Sequence, residues 1–248
     1  MLETFRKALP FREAPEFLAG GGEMGERMRE LQWSRTPLGS PDEWPETLRH
    51  AARLVLASRQ PMSLWWGDAL VHLYNDACRP ILGASHPSAL GLEAHVVWGD
   101  LWHELGTRAD AAMRRHEGSS TAPLPFIVER QGRAFETHYV MACNAVRDEH
   151  GGFGGVLWTF SDATAAVLRA REMACVAMLA GAFEGASALR DVCRRACDAI
   201  GSDASDIPFV GAYVVDPEGR EARLAASAGV PSGSESLPEA VMVGDVSP

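Results

Sequence analysis

Lysine is almost absent from this chain of 248 residues, in which the single Lys7 stands against 22 arginines. A phosphate-binding P-loop, the interior strand of a protein kinase and a Schiff-base enzyme each need a lysine inside a fold. Lys7 belongs to a loose N-terminal lead-in and suits none of these roles. The sequence therefore predicts no P-loop and no lysine-dependent catalysis, and we interpret the arginine bias as a property of a GC-rich genome.

The chain also lacks a run of eighteen apolar residues and the short apolar core of a secretory signal. These two absences predict a cytoplasmic protein without a membrane span. Five cysteines, an odd number, are then expected to be reduced thiols. The net charge of −10, with no basic stripe, argues against nucleic acid and anionic membranes as partners.

The composition changes along the chain. All seven tryptophans lie at or before Trp158, whereas the last third is rich in alanine and has none. A hydrophobic content of 46% is enough for one large or two small domains, each with its own core. The shift in composition predicts a domain boundary near residues 160–175.

Apolar alternation and turn signals predict five strands, at residues 62–66, 69–74, 123–130, 133–146 and 153–161. Their order is two strands, short helices, a long helix, and then three strands. This order predicts an α+β fold, a five-stranded antiparallel sheet with its helices on one face. Such a sheet can close a pocket between its inner face and the helices.

Helical periodicity is clearest after Trp98, where apolar residues recur at helical spacing as far as Ala112 and predict one helix that ends near Gly118. Earlier, residues 22–32 predict a short helix. Ser40 to Glu43 reads as a capping box with Pro41 at the first helical position, opening a helix to about Ser58. Residues 162–200 are almost all helical by pattern, with a break at Gly181 and Gly185, and one more strand pair follows.

The residues 60–162 resemble a PAS sensor domain. The stretches PMSLWWGDALVHLYNDACRPILGASHPSALG and VRDEHGGFGGVLWTFSDAT, with the preceding FLAGGGEMGERMRELQWSRTPLGSPDEWP, resemble the N-terminal PAS module of bacterial sensor histidine kinases. Residues 174–240, with DIPFVGAYVVDPEGREARLAASAG, resemble the first half of a GAF domain. The resemblance implies four parts: an N-terminal helical extension at 1–59, a PAS domain at 60–162, a connector helix at 163–185 and a partial, GAF-like α/β fragment at 186–248.

The resemblance also implies a function. A PAS domain binds a small ligand or a partner and regulates an output domain, here a histidine kinase of a two-component phosphorelay that would lie in cis outside this chain. The alanine-rich residues 162–183 are either a signalling helix that joins two copies into a homodimer or a plain interdomain connector. A ligand-free dimerisation module is the alternative function.

The candidate ligand pocket follows from the apolar stripe of the long helix and the inward positions of the strands. Its candidate residues are Tyr74, Trp98, Leu101, Trp102, Leu105, Phe126, Tyr139, Met141 and Leu157. These side chains either line a cavity or fill it, and aromatic stripes of this kind are more often core than pocket.

No catalytic constellation and no metal site is predicted, and the cofactor stays unknown. Cys78 does not stand where a flavin-reactive thiol would, so flavin is disfavoured. Haem would need a histidine in the pocket, for which His95, His103 and His116 are candidates. His103 is next to Trp102 but falls off the apolar stripe, and haem is disfavoured. Cys193 and Cys197 share a helix face, but no second ligand pair completes a metal site.

Overall fold

The computed structural model describes residues 15–130, 132–183, 188–201, 207–230 and 234–244. The chain divides into two compact units, residues 1–164 and 165–248. This division falls inside the interval that the tryptophan distribution indicated. The finer division into four parts stays a prediction, and Lys7 and Gly185 lie outside the described residues.

Helices of the first unit flank a single sheet. They are α1 (Gly22–Glu30), α2 (Glu46–Ala57), α3 (Arg79–Leu82), α4 (Ala94–Trp98) and α5 (Trp102–Arg115). The strands are β1 (Met62–Trp66), β2 (Val71–Tyr74), β3 (Ser119–Ser120), β4 (Leu124–Arg130), β5 (Arg133–Arg147) and β6 (Phe153–Asp162).

The sheet is antiparallel throughout, in the order β2-β1-β6-β5, with β3 and β4 both on the outer edge of β5. The strand β4 pairs with the first half of β5, and β3 pairs with Ala142 and Cys143 further along. Six strands therefore occupy five positions. The fold is α+β and PAS-like, as the order of elements predicted.

Alternation of side chains gives the sheet two different faces. Trp65, His72 and Trp158 share the inner face with Met141 and Phe160, because cross-strand partners point the same way. Rings of α4 and α5 pack against this face, with Trp98 and Trp102 both close to Trp65.

The opposite face carries Leu64 and Leu73, which are fully buried. The helix α2 contacts β1 and β2 and buries Leu48, Ala52 and Val55. The N-terminal extension therefore contributes to the same continuous core as the sheet.

Two helix starts differ from the sequence prediction. The long helix is two helices, since α4 ends at Trp98 and Gly99, with a positive φ of 38°, leads through a short 3-10 turn into α5. Ser40 makes no capping hydrogen bond, and Pro41–Glu43 is only a 3-10 turn. Trp44 precedes Pro45 and is extended, so α2 starts after the proline.

The second unit contains α6 (Thr164–Ala182), α7 (Leu189–Ile200), β7 (Val210–Val215), β8 (Glu221–Ala228) and β9 (Ala240–Met242). The strands form an antiparallel sheet in the order β7-β8-β9, and α7 packs on β7 and β8. The third strand, β9, was not predicted. Among its described hydrophobic residues only Cys197 and Leu237 are buried. No helix in the described part of the chain has the length and apolar character to cross a membrane.

Candidate functional site

A layer of aromatic rings fills the space between the inner sheet face and α4–α5. We call it the aromatic layer; it consists of Trp65, His72, Tyr74, Trp98, Trp102, Trp158 and Phe160. The ring of Trp65 lies at its centre, 4.9 Å from Trp158 and 6.2 Å from Trp98 between centroids. Trp98 stacks on Phe160 at 5.9 Å. These distances are typical of favourable ring contacts in a packed core.

Eight of the nine predicted pocket residues lie in or beside this layer. Tyr74, Leu105 and Met141 are completely buried, and Trp98 and Tyr139 nearly so. The remaining three are half-buried and contribute to its rim: Leu101, Trp102 and Phe126. Phe126 contacts Tyr139 edge-on, at 5.7 Å between ring centroids.

Leu157 is the residue that the structure places elsewhere. It pairs with Leu64 and therefore points to the opposite face of the sheet. Its neighbour Trp158 takes the inward position instead and has no exposed surface. Whether any of these residues binds a ligand stays a prediction.

The indole nitrogens of Trp98 and Trp158 in the layer have no hydrogen-bond partner among the described residues, and the buried ring of His72 has only the backbone of Ala89. His72 and Trp158 are completely buried and Trp98 is 7% exposed. Buried polar groups in proteins are nearly always paired, so an unpaired group calls for a specific reason.

Three other buried tryptophans of the same unit have paired indole nitrogens. The indole nitrogen of Trp33 donates to the carbonyl of Met28 at 2.6 Å, that of Trp44 to Gly39 at 3.2 Å, and that of Trp65 to the hydroxyl of Ser63 at 2.9 Å. The two unpaired indoles, of Trp98 and Trp158, therefore lie beside a paired one, that of Trp65, in the aromatic layer.

Burial lowers the pKa of His72 to about 3, although the backbone of Ala89 opposes the shift. The imidazole is therefore neutral at neutral pH, with one nitrogen that donates and one that accepts. Sequence reasoning did not select His72 or Trp158. The inward position of His72 could have been predicted from the strand VHLY, because His72 and Tyr74 are two residues apart and therefore lie on one face.

Tyr74 connects the layer to α1. Its hydroxyl lies 3.0 Å from Nδ1 of His86, and Nε2 of His86 lies 3.2 Å from the carboxylate of Glu23. Glu23 also pairs with Arg79 at 2.7 Å and with Arg27 at 2.8 Å. The hydrogen bond from Arg27 and the nearby charge of Arg79 lower the pKa of Glu23 despite some desolvation. A continuous polar chain therefore runs from the aromatic layer to a surface helix.

Neither inner cysteine has the character of a reactive thiol. Burial raises the pKa of Cys78 and of Cys143 to about 12. The Sγ of Cys78 donates to the carbonyl of Met62 at 3.1 Å. A protonated thiol is a poor nucleophile, so the buried thiols act as packing groups.

The histidines considered for haem do not enter the aromatic layer. His103 and His116 are exposed, and His95 is exposed over half its side chain and contacts the edge of Trp102. Within the described ranges no three His, Cys, Asp or Glu side chains are grouped so as to hold a metal ion.

No family model matches the chain, and none of the curated proteins matches it. Solved structures with a similar fold include the PAS domain of a protein from Colwellia psychrerythraea, at 15% identity over 48% of this chain and 98% of that one, with a TM-score of 0.35. A sensory box sensor histidine kinase from Vibrio cholerae is similar at 11% identity over 47% of this chain and 92% of that one, with a TM-score of 0.33.

VqmA bound to DPO is also similar, at 9% identity and a TM-score of 0.35, over 46% of this chain and 57% of VqmA. The chain thus spans little more than half the length of that protein. At these scores the similarities carry no argument about function, and the PAS-like fold rests on the strand order and layers described above.

Proposed function

We propose that the chain is a cytoplasmic sensory module, in which the PAS-like unit binds a small ligand or a partner and regulates an output domain. By the sequence resemblance, that output is a histidine kinase of a two-component phosphorelay, in cis but outside this chain. The α7–β9 region is then the first part of a GAF domain. The observation that carries the proposal is the direct connection of the aromatic layer to α6 through β6.

The strand β6 lies between β1 and β5 and contributes Trp158 and Phe160 to the aromatic layer. It ends at Asp162, whose carboxylate accepts a hydrogen bond from the backbone N–H of Thr164 at 2.8 Å. The N–H of His138 in β5 donates to the hydroxyl of Thr164 at 2.9 Å. A change in the packing of the layer therefore moves two strands that hold the first residue of α6.

Signalling by this route requires two packings of the layer that differ in their affinity for the stimulus. A ligand that fits only one of them shifts the population and, through β6, the position of the start of α6. The helix α6 transmits the shift to the output domain.

The surface of α6 supports a homodimer. None of its described side chains is fully buried, yet Met173 is 66% exposed and Val176 54% exposed. With Ala166, Ala180 and Phe183 they recur at alternating spacings of three and four, which is the seam of a coiled coil. Arg169 occupies the remaining seam position. A second copy of α6 would cover this seam.

Placing a charge in the seam tests the dimer. We expect Met173→Glu to weaken self-association by at least about tenfold, because two facing carboxylates would be buried without partners. Ala174→Glu is the matched control, since position 174 lies off the seam on the same exposed helix. Sedimentation equilibrium of the full chain measures both. A monomeric parent protein, or equal weakening by the two variants, would contradict the seam.

The complete burial of Tyr74, Leu105 and Met141 favours a second candidate function, a ligand-free interaction module whose aromatic layer is filled. Native mass spectrometry of the purified chain, with an absorbance spectrum of the same sample, separates the two. A co-purifying mass would support the ligand sensor. A bare dimer with protein absorbance alone would support the interaction module.

A further inference from the structure

His86 is the middle member of the polar chain that joins Tyr74 of the aromatic layer to Glu23 of α1. Its side chain is 14% exposed, and each ring nitrogen has a partner, the Tyr74 hydroxyl at 3.0 Å and the Glu23 carboxylate at 3.2 Å. We propose that this chain is a proton-operated contact, in which protonation of His86 tightens the hold on α1 and reverses the hydrogen bond of Tyr74. The inference goes beyond the sensory function proposed above, because it depends on no ligand of the layer.

The partners of the neutral imidazole fix its tautomer. The carboxylate of Glu23 can only accept, so Nε2 carries the hydrogen and donates to it. Nδ1 then has a lone pair and accepts from the hydroxyl of Tyr74. Burial raises the pKa of Tyr74, although the charges of Arg27 and Arg79 oppose the shift. The hydroxyl therefore keeps its hydrogen and donates it to the neutral ring.

A proton taken from solvent by Nδ1 reverses this bond. Nδ1 becomes a donor, and the oxygen of Tyr74 accepts from it. The hydroxyl hydrogen of Tyr74 then turns to a second acceptor that is already in place, the carbonyl of Pro87 at 3.4 Å. The protonated ring therefore supports one more hydrogen bond than the neutral ring. Its bond to Glu23 also becomes a bond between two charged groups, which is the stronger kind.

The charges around this chain act in both directions. The titratable and charged groups that face the imidazole and its partners are Glu23 and Arg27 of α1, Tyr74 of β2, Asp76 and Cys78 of the turn before α3, and Arg79 of α3. The two guanidinium groups share the carboxylate of Glu23 and repel a third cation. They are matched in number by two carboxylates, so we assign the direction of the effect to the additional hydrogen bond.

Both ends of the contact lie at positions where a change affects the fold. The helix α1 buries Met24 and Met28 in the core of the first unit. At the other end, the ring of Tyr74 lies 5.1 Å from that of His72 between centroids. A proton taken up near the surface therefore acts on the N-terminal extension and on the aromatic layer together.

Hydrogen exchange of the full chain, followed by NMR, tests the hold on α1. Amide protection factors, corrected for the intrinsic effect of pH on exchange, report how often a helix opens. The measurement compares pH 8 with pH 5, the range in which imidazoles gain a proton. We expect the protection of α1 to rise about fivefold relative to that of α5 at the lower pH, which is the contribution of one hydrogen bond. The comparison with α5 removes the effect of pH on the stability of the whole unit.

Three variants assign the response. His86→Gln keeps a donor and an acceptor but cannot gain a proton, so the relative protection of α1 should not change with pH. Tyr74→Phe keeps the ring and removes the hydroxyl, so the rise should be smaller than in the parent. His95→Gln is the matched control, because His95 also pairs with a glutamate, at 3.3 Å, but belongs to α4. This control should keep the full rise.

The ring nitrogen signals of the 15N-labelled chain give a second readout, in which His86→Gln identifies the signals of His86. At the higher pH we expect the tautomer with hydrogen on Nε2. The opposite tautomer would overturn the inference, and so would a relative protection of α1 that stays level or falls on acidification. An equal rise in the parent and in His86→Gln would also overturn it. The proposed sensory function is tested separately by the co-purified mass, which none of these results changes.

Discussion

His72 is a polar side chain in the centre of an apolar region, and the four-residue strand β2 holds it there. Val71, Leu73 and Tyr74 are as buried as His72 itself, so the strand has no solvent-facing position. The backbone of His72 is fixed from both sides, since its N–H donates to Leu92 and its carbonyl accepts from Gly91. The imidazole therefore cannot leave the aromatic layer without breaking the strand.

This environment gives a pH dependence of stability with a definite sign. In the folded chain the pKa of His72 is lowered to about 3 from its ordinary value of 6.5. Between these two values the unfolded chain binds a proton and the folded chain does not, so stability falls as the pH falls. The loss per pH unit attributable to His72 is at most about 1.4 kcal/mol.

We expect the free energy of unfolding of the parent to fall more steeply than that of His72→Phe between pH 6.5 and pH 4.5. Urea denaturation at several pH values measures the free energy of unfolding of both proteins. The difference between the two free energies removes the contribution of the other titrating groups, because both proteins share them. Parallel pH profiles would contradict the pKa shift, because they would mean that His72 titrates alike in the folded and unfolded chains.

Sequence reasoning located most of the candidate site, because periodicity identifies inward positions once the element type is known. Tyr139 and Met141 alternate along β5 as predicted, and Leu105 faces the core from α5. It failed at Leu157 because this residue is apolar itself, although the larger Val156, Trp158 and Phe160 alternate with Gly155 and Thr159 and mark the inward face. The pairing of Leu157 with Leu64 places it on the opposite face.

At the scale of elements, α1 depends on a residue far along the chain. Its N-cap residue is Gly21, which has no side chain, so no local side chain caps the helix. The carboxylate of Asp76 takes this role and accepts hydrogen bonds from the backbone N–H groups of Glu23 at 3.1 Å and Met24 at 2.7 Å. A carboxylate at this end also interacts favourably with the helix dipole.

We therefore expect Asp76→Ala to reduce the free energy of unfolding of the first unit by about 1–2 kcal/mol, the usual cost of a lost N-cap. Asp76→Asn retains an acceptor oxygen and should recover part of the loss. Urea denaturation followed by tryptophan fluorescence measures all three proteins.

The control for this cap is Asp110→Ala, which removes an exposed carboxylate that pairs with Arg114 within α5. Surface pairs of this kind contribute little, so its effect should stay below about 1 kcal/mol. Equal effects at positions 76 and 110 would mean that the contacts of Asp76 with α1 do not stabilise the helix.

The element boundaries show what local patterns miss. The strands were predicted to within two residues at almost every end, because alternation and turn residues act locally. The break at Gly99 was missed because the apolar spacing continues across it, from Trp98 to Leu101 and Trp102. The division of the outer strand into β3 and β4 and the cap from Asp76 both depend on distant partners, which no local pattern contains.

The whole molecule consists of two units with very different cores. All seven tryptophans and nearly all fully buried side chains belong to residues 1–164, whereas the described part of the second unit buries only Cys197 and Leu237 among its hydrophobic residues. Stability scales with the apolar surface removed from water, so the second unit should unfold first.

This difference predicts two separate transitions in urea. The second unit contains the helices α6 and α7 but no tryptophan. Its unfolding should therefore make the ellipticity at 222 nm less negative while tryptophan emission stays constant. Emission should change only in a later transition, when the first unit unfolds. Multidomain chains commonly depart from two-state behaviour in this way.

Leu105→Ala assigns the transitions. Leu105 is completely buried in the first unit, so its truncation should cost about 2–5 kcal/mol and lower only the later midpoint.

Pairing of α6 between two copies would stabilise the second unit by mass action, so the earlier midpoint should rise with protein concentration, and Met173→Glu should abolish this rise. If the two signals coincide at every concentration, the units unfold as one cooperative structure and the small core of residues 165–248 is stabilised by contacts beyond its own.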